Sequence, residues 1–483
     1  MSSRTEPAAP AWTIALGAVL ALAAGLRLPG LDAQLWFDEI ATLVISIRQP
    51  LAAILTEFPG VNQHPLYSVL AHGAVGVGGE SPWVVRLPAM VFGVVAVWTV
   101  WDLGCTVLTR TEAIVAALLV ATSSHHIWFS QNARGYTMLA SFTLVTTTAL
   151  LRIAMTGERR HYVLYAVAAV AGVYTHLTMA FVLAAHVLTV AIAWLLGARL
   201  ARRFVVNRIA VMWAIVIGLI AVTYAPYVPD LLHTFTEKAP PKAAQVATAS
   251  RAAGDLLRGV TDGFGIAGLL TVIVLAATGG LALLSSQPFV VWLLVSPALV
   301  TLGTTALLGQ PLRPRFLFNL SGAAALFVAA GAALIARAIA SRAGWTAPAA
   351  QAACLTALLL PLVPGAATAI SRNAAVPKQD FAGALALLDD AAARGEPIVG
   401  AGTICLALDA YFDRQWPCVI TNEGWRRETA AGPVLGVHTL IEFWDDQELA
   451  ATLARDCRDV RRFSGTLGGG DVVVCRSRAT PAR

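Results

Sequence analysis

Charge is what this chain has least of. Asp, Glu, Lys and Arg supply only 13% of its 483 residues, while 57% are hydrophobic and the mean hydropathy is +0.69; an ordinary soluble domain is about a quarter charged. That scarcity excludes a soluble enzyme, and a disordered chain would need low hydrophobicity with high charge. The short alternating segments of a membrane β-barrel are also missing. So is the internal symmetry with paired broken helices of many transporters. No Cys-x-x-Cys occurs, which weighs against zinc. Leu26-Arg27-Leu28-Pro29-Gly30, after the first apolar stretch, offers no small-x-small cleavage site, so that stretch reads as a span rather than a signal peptide.

What is present is a series of apolar runs, each long enough to cross a hydrocarbon core of ~30 Å as a helix. Spans are expected at 12–30, 83–107, 112–130, 137–155, 161–175, 177–197, 208–227, 264–284, 288–308, 316–336 and 348–370, giving an α-helical polytopic membrane protein of about 11 transmembrane helices. The net charge of +6 comes from arginines in short loops, where they set topology rather than bind nucleic acid. With the N-terminus cytoplasmic, the loops carrying Arg110, Arg152, Arg159, Arg160, Arg199, Arg202, Arg203, Arg208, Arg337 and Arg342 all fall inside. The segment 65–79 is too short and Gly-rich to span and reads as an interfacial or re-entrant helix. Loop 31–82, loop 229–262 and everything after about 371 then face the exterior.

Composition changes abruptly near the last span, dividing the chain into a membrane domain, 1–372, and a small extracytoplasmic α/β domain, 373–483. Helices are expected at 379–394 and 445–457, with strands at 397–401 and 471–476. Cys405, Cys418, Cys457 and Cys475 all lie there. In an oxidising compartment they favour two disulfides over free thiols or a metal, with three pairings open.

In loop 31–82, Trp36-Phe37-Asp38-Glu39 precedes apolar residues at 40, 43, 44, 47, 51, 54, 55 and 58, the pattern of two short amphipathic helices on the membrane surface. Asp38 sits at or just before the first helix, where a carboxylate is a good N-cap. An acidic pair at the mouth of a membrane cavity is nevertheless costly to keep unless it is used. Asn62-Gln63-His64-Pro65-Leu66-Tyr67 returns a His and a Tyr to that surface, and Ser81-Pro82-Trp83-Val84-Val85-Arg86-Leu87-Pro88 opens the next span, with Arg86 free to snorkel outward.

These stretches, followed by Ser130-Gln131-Asn132-Ala133-Arg134-Gly135-Tyr136, Tyr174-Thr175-His176 and Arg313-Pro314-Arg315-Phe316, resemble in order and spacing the family 39 glycosyltransferases of the GT-C superfold. That family includes protein O-mannosyltransferases and lipid A aminoarabinose transferases. The likeness covers most of 31–340, with a weaker match at Gln379-Asp380-Phe381; His-Pro-Leu-Tyr stands where many members have His-Pro-Pro-Leu-Tyr. The resemblance implies a GT-C fold and transfer of a monosaccharide from a polyprenyl phosphate on the exterior face. It also implies Asp38 as catalytic base and arginines on the donor phosphate.

The chemistry suits those residue types. An acceptor hydroxyl needs a positioned base, worth ~10²–10⁴-fold, and a lipid phosphate leaves as a stable anion without the second carboxyl a glycosidase requires. One carboxylate therefore suffices for in-line attack with inversion. Charge growing on the phosphate is met by fixed cations in a water-poor cavity: Arg134, Arg313 and Arg315, of which Arg315 is favoured because 313 and 315 cannot both point inward from an extended segment. His64, Tyr67, Gln131, Tyr136 and His176 are the further substrate-binding candidates. Glu39 positions Asp38, meets the acceptor, or shares a divalent cation with it. No metal is assigned, although a divalent cation stays open. Adjacent His125 and His126 point ~100° apart and are structural.

The expected activity is transfer of a mannose-like or arabinose-like sugar to an envelope glycan, glycolipid or protein hydroxyl outside a bacterial plasma membrane. The rival readings are a transporter or flippase of lipid-linked sugars and an envelope scaffold.

Overall fold

The structure is a computed structural model that describes residues 10–60, 63–237, 243–307, 314–345, 347–441 and 446–478. Its first three quarters are helical: α1 (Pro10–Arg27), α2 (Phe37–Thr42), α3 (Leu51–Thr56), α4 (Pro65–Gly78), α5 (Pro82–Val107), α6 (Arg110–Ala121), α7 (Ser124–Ser130), α8 (Tyr136–Thr156), α9 (Arg159–Thr175), α10 (Met179–Leu195), α11 (Val206–Tyr224), α12 (Val228–Glu237), α13 (Ala243–Ser286), α14 (Pro288–Leu307), α15 (Ser321–Arg342), α16 (Pro348–Leu359) and α17 (Val363–Ala375).

Each expected span coincides with a helix or a broken helix. Among the described residues eight are long and apolar enough to cross a membrane, and nine if α6 and α7, bent by 60°, form one broken span. The break has a local cause, because the Ser123 side chain accepts from the His126 amide and starts α7 afresh. Helices α9 and α10 hold 17 residues each, about 26 Å, slightly under the hydrocarbon thickness. The chain is an integral membrane protein. Helix α4, with 14 residues, reaches only about 21 Å.

Two compact units divide the chain. The first comprises Met1–Pro29, Pro50–Val77 and Arg86–Ser371. Within it α8 is the most enclosed span, 78% buried over its apolar window. Several of its threonines enter an apolar bundle because their hydroxyls bond a carbonyl one turn back, Thr147 to Thr143 and Thr148 to Leu144, both at 2.8 Å. Helices α13 and α15 meet backbone to backbone: a Cβ on Gly331 would fall on the Leu275 carbonyl and one on Gly279 on the Phe327 carbonyl. Small residues at such crossings replace the hydrophobic drive that lipid does not supply. Gly331→Leu is therefore expected to lower stability by about 1–3 kcal/mol or more, read as an earlier thermal unfolding in detergent; an unchanged midpoint contradicts the close crossing.

The second unit comprises Gly30–Gln49, Gly78–Val85 and Arg372–Arg483. It contains α18 (Phe381–Ala393), α19 (Ile404–Ala410), α20 (Asn422–Thr429) and α21 (Gln447–Asp456) with β1 (Ile398–Ala401), β2 (Cys418–Val419), β3 (Leu435–His438), β4 (Cys457–Phe463) and β5 (Val472–Ser477). The strand order is β2-β1-β3-β5-β4. Strand β1 runs parallel to β2 and β3, whereas β5 runs antiparallel to β3 and β4. Helices α18 and α21 and strands β1 and β5 lie where the sequence expects them. The polar edge strand β4, Cys-Arg-Asp-Val-Arg-Arg-Phe, is exposed along most of its length and shows no buried alternation to read. Of the three pairings left open, the structure has Cys405–Cys418 and Cys457–Cys475.

Candidate functional site

In the helical unit four separate segments bring charged and aromatic side chains together. His64, just before α4, is fully buried; Arg134, between α7 and α8, is 2% exposed. The Arg134 Nε–H donates to His64 Nε2 at 3.0 Å, and His64 Nδ1 donates to the Thr175 carbonyl at 3.2 Å. A guanidinium only donates, so Nε2 must carry the lone pair and the imidazole is the neutral Nδ1–H tautomer. Burial first, then the Arg134 charge, His176 and Arg315, hold the His64 pKa well below its usual value against the opposing pull of the Thr175 carbonyl. The His176 ring stands 4.9 Å from His64, Tyr136 stands 5.3 Å from it, and the Arg134 guanidinium lies 5.5 Å from the Tyr136 ring centre.

Thus His64, Arg134, Tyr136, His176 and Arg315 converge, as one cation-rich cluster. Tyr67, in the first turn of α4, is wholly buried. Gln131 turns elsewhere: its amide donates to the carbonyls of Arg27 at 2.9 Å and Pro29 at 2.5 Å, bracing the end of α1. Arg313 lies outside the described residues. Arg86 is 1% exposed, so it does not snorkel to the surface.

Two contributors escaped the sequence reading. Gly135 has no room for a side chain, since a Cβ there would meet the Thr175 methyl and the His64 ring; its place inside Arg-Gly-Tyr was the available signal. Arg27, which reads simply as the end of a span, is fully buried. It donates to Ser130 Oγ at 3.0 Å and to the Ala23 and Ala121 carbonyls at 2.7 and 3.2 Å, and its Nη2 meets His126 Nδ1 at 3.0 Å. His126 is thereby tied to α1, while the neighbouring His125 ring packs on Phe129 instead.

A groove of about 990 Å³ lies between α9 and α11, walled by Tyr162, Val163, Val167, Val170, Met212 and Ile215 among others. One end is lined by Leu66 and Tyr174, each two residues from a histidine of the cluster. Arg159, Asn207 and Arg208 line the other, fifteen residues along α9 from Tyr174 and hence about 22 Å away.

Asp38 and Glu39 belong to the second unit. Helix α2 has Trp36 as its N-cap residue, and the carboxylate that satisfies the Trp36 amide, at 3.3 Å, is that of Glu39. The capping duty the sequence offered Asp38 therefore falls to its neighbour, because position three of a helix, not position two, reaches back to the cap amide. Asp38 remains half-buried in the first turn. Glu39 is fully buried, and its other oxygen lies 3.5 Å from Lys378 Nζ. Among the described residues no group of three or more His, Cys, Asp or Glu is arranged to hold a metal ion.

Residues 62–227 match the family described as dolichyl-phosphate-mannose-protein mannosyltransferase. No curated protein sequence matches significantly. Among solved structures the chain is similar to ArnT from Cupriavidus metallidurans in the apo state, with a TM-score of 0.56 and 12% identity over 98% of this chain and 99% of that one. It is similar also to the same protein bound to undecaprenyl phosphate, with a TM-score of 0.53 and 12% identity over 99% and 100%. The oligosaccharyltransferase of Archaeoglobus fulgidus gives a TM-score of 0.52 and 14% identity over 74% of this chain and 53% of that one. The chain has an ArnT-like GT-C fold and resembles the O-mannosyltransferases and ArnT.

Proposed function

We propose that this protein is an inverting glycosyltransferase that moves one sugar from a polyprenyl phosphate to an acceptor hydroxyl on the extracytoplasmic side of a bacterial plasma membrane. The observation that carries the reading is the buried cluster that brings Arg134 and Arg315 to His64 and His176, in a unit that also holds an apolar groove lined by their chain neighbours Leu66 and Tyr174. Guanidinium groups suit a phosphate, and an apolar groove suits an isoprenoid. ArnT, the similar structure that covers nearly the whole chain, is described bound to undecaprenyl phosphate.

In this mechanism Asp38 takes the acceptor proton as the new bond to C1 forms. The C1–O bond to phosphate breaks on the opposite side of the sugar, and the lipid phosphate leaves with the electron pair. Arg134 and Arg315 stabilise the charge gathering on it. Neutral His64 holds the Arg134 guanidinium in place, while Tyr67, Tyr136 and His176 shape the surroundings. A mannose-like or arabinose-like donor and an envelope glycan, glycolipid or protein acceptor complete the proposal.

The test is incubation of the purified protein with labelled polyprenyl-phosphate sugars, scoring release of lipid phosphate and the anomeric configuration of the product. Release with inversion supports the reading. Retention of configuration, or movement of intact donor across vesicles without release, as a flippase would give, overturns it.

A further inference from the structure

We infer that Lys378 and Gln379, in the segment between α17 and α18, are positioning residues for the Asp38–Glu39 turn. This inference rests on the reading of Asp38 as the base. The contacts all lie within the second unit. Lys378, 8% exposed, pairs with the fully buried Glu39. The Gln379 side chain accepts from the Phe37 amide at 2.7 Å, at the first residue of α2, and donates to Thr439 Oγ1 at 3.0 Å and the Gly470 carbonyl at 2.7 Å. Gln34, just before α2, closes the clamp: it donates to the Gln379 carbonyl at 2.5 Å and accepts from the Ala382 amide at 3.1 Å.

The clamp is itself fixed from behind. The Thr466 and Leu467 amides donate to the carbonyls of Pro377 and Lys378 at 2.9 and 3.0 Å. A Cβ on Gly465 would fall on the Lys378 carbonyl, so position 465 is kept bare for this approach.

Stability is a poor account of such an arrangement. Removing two charges from water costs about as much as their attraction returns, so a buried pair contributes little net stability, while fixing registry is the better attested use of one. Here what is fixed is the start of α2. Gln379 sets where its first amide lies and Lys378 sets where Glu39 lies, so the carboxylate between them has one place to be. A displacement of about 1 Å at a reacting group can cost ~10²-fold in rate, which makes the placement worth holding.

The experiment compares Lys378→Met, Lys378→Arg and Gln379→Met in the full-length protein, with thermal unfolding in detergent reporting the folded fraction. Lys378→Met is expected to lower kcat about tenfold or more with the KM for the lipid donor within about twofold, and Lys378→Arg to restore at least half of the kcat. Gln379→Met, which removes three neutral hydrogen bonds and leaves no buried charge unpaired, is expected to lower kcat in the same way and serves if Lys378→Met does not fold. Unchanged kcat in either folded methionine variant, or a loss carried by donor KM alone, overturns the inference. Asp38→Asn run alongside separates the two layers. Full activity in it removes the reading of the base, whereas an inactive Asp38→Asn beside a fully active Lys378→Met removes only the clamp.

Discussion

Asp38→Asn is expected to lower the transfer rate by about 10²–10⁴-fold, the range a positioned general base contributes, while donor binding and thermal stability stay close to wild type. The substitution keeps the shape of the side chain and removes only its capacity to take a proton. Because Glu39 rather than Asp38 satisfies the helix cap, loss of the Asp38 charge does not free a cap amide. The measurement is single-turnover transfer with saturating labelled donor, beside equilibrium binding of the same lipid. A variant that binds donor and transfers at the normal rate ends the assignment of the base.

Arg134→Met is expected to cost about 10²–10³-fold in kcat, the scale seen when one preorganised donor to developing charge is removed. The loss has two sources. The leaving phosphate loses a cation, and His64 Nε2 loses the Nε–H that it accepts at 3.0 Å, becoming a buried acceptor without that partner. The pH dependence follows from the second source. The folded His64 refuses a proton that the unfolded chain binds below about pH 6.5. Stability is thus full above that value and falls as the pH drops toward the lowered folded pKa. Without Arg134 one of the causes of the lowering disappears, so the folded pKa rises and the acid loss is smaller in the variant, although burial, the larger cause, persists. Comparing unfolding midpoints at pH 5 and pH 8 in the two proteins checks the sign. An Arg134→Met protein with normal kcat, or with greater acid sensitivity than wild type, contradicts the role given to the pair.

Much of the helical unit was legible beforehand. The spans, the short α4, the paired helices of the first loop and the four strongest elements after 371 all showed as local periodicity or as apolar length. The structure also brings the motif residues His64, Arg134, Tyr136 and His176 near one another, and each flanks a helix end that the apolar pattern itself marks. What did not read were partners. Gln131 looked like a neighbour of Arg134 in function yet bonds the end of α1. Arg27 gave no signal, since an arginine closing an apolar helix looks the same whether it faces water or four buried partners. Strand β4 was invisible because an exposed edge strand is not required to alternate.

Transfer into lipid is a sum over contiguous residues, so a one-dimensional string carries it: membrane class and approximate crossings follow from the 483 letters alone. Which carboxylate caps α2, which cysteines join, and that Lys378 meets a glutamate 339 positions earlier depend on segments brought together only by folding. Such pairings are chosen by packing and by the cost of leaving buried polar groups unmet, and neither quantity exists until the chain has a three-dimensional interior.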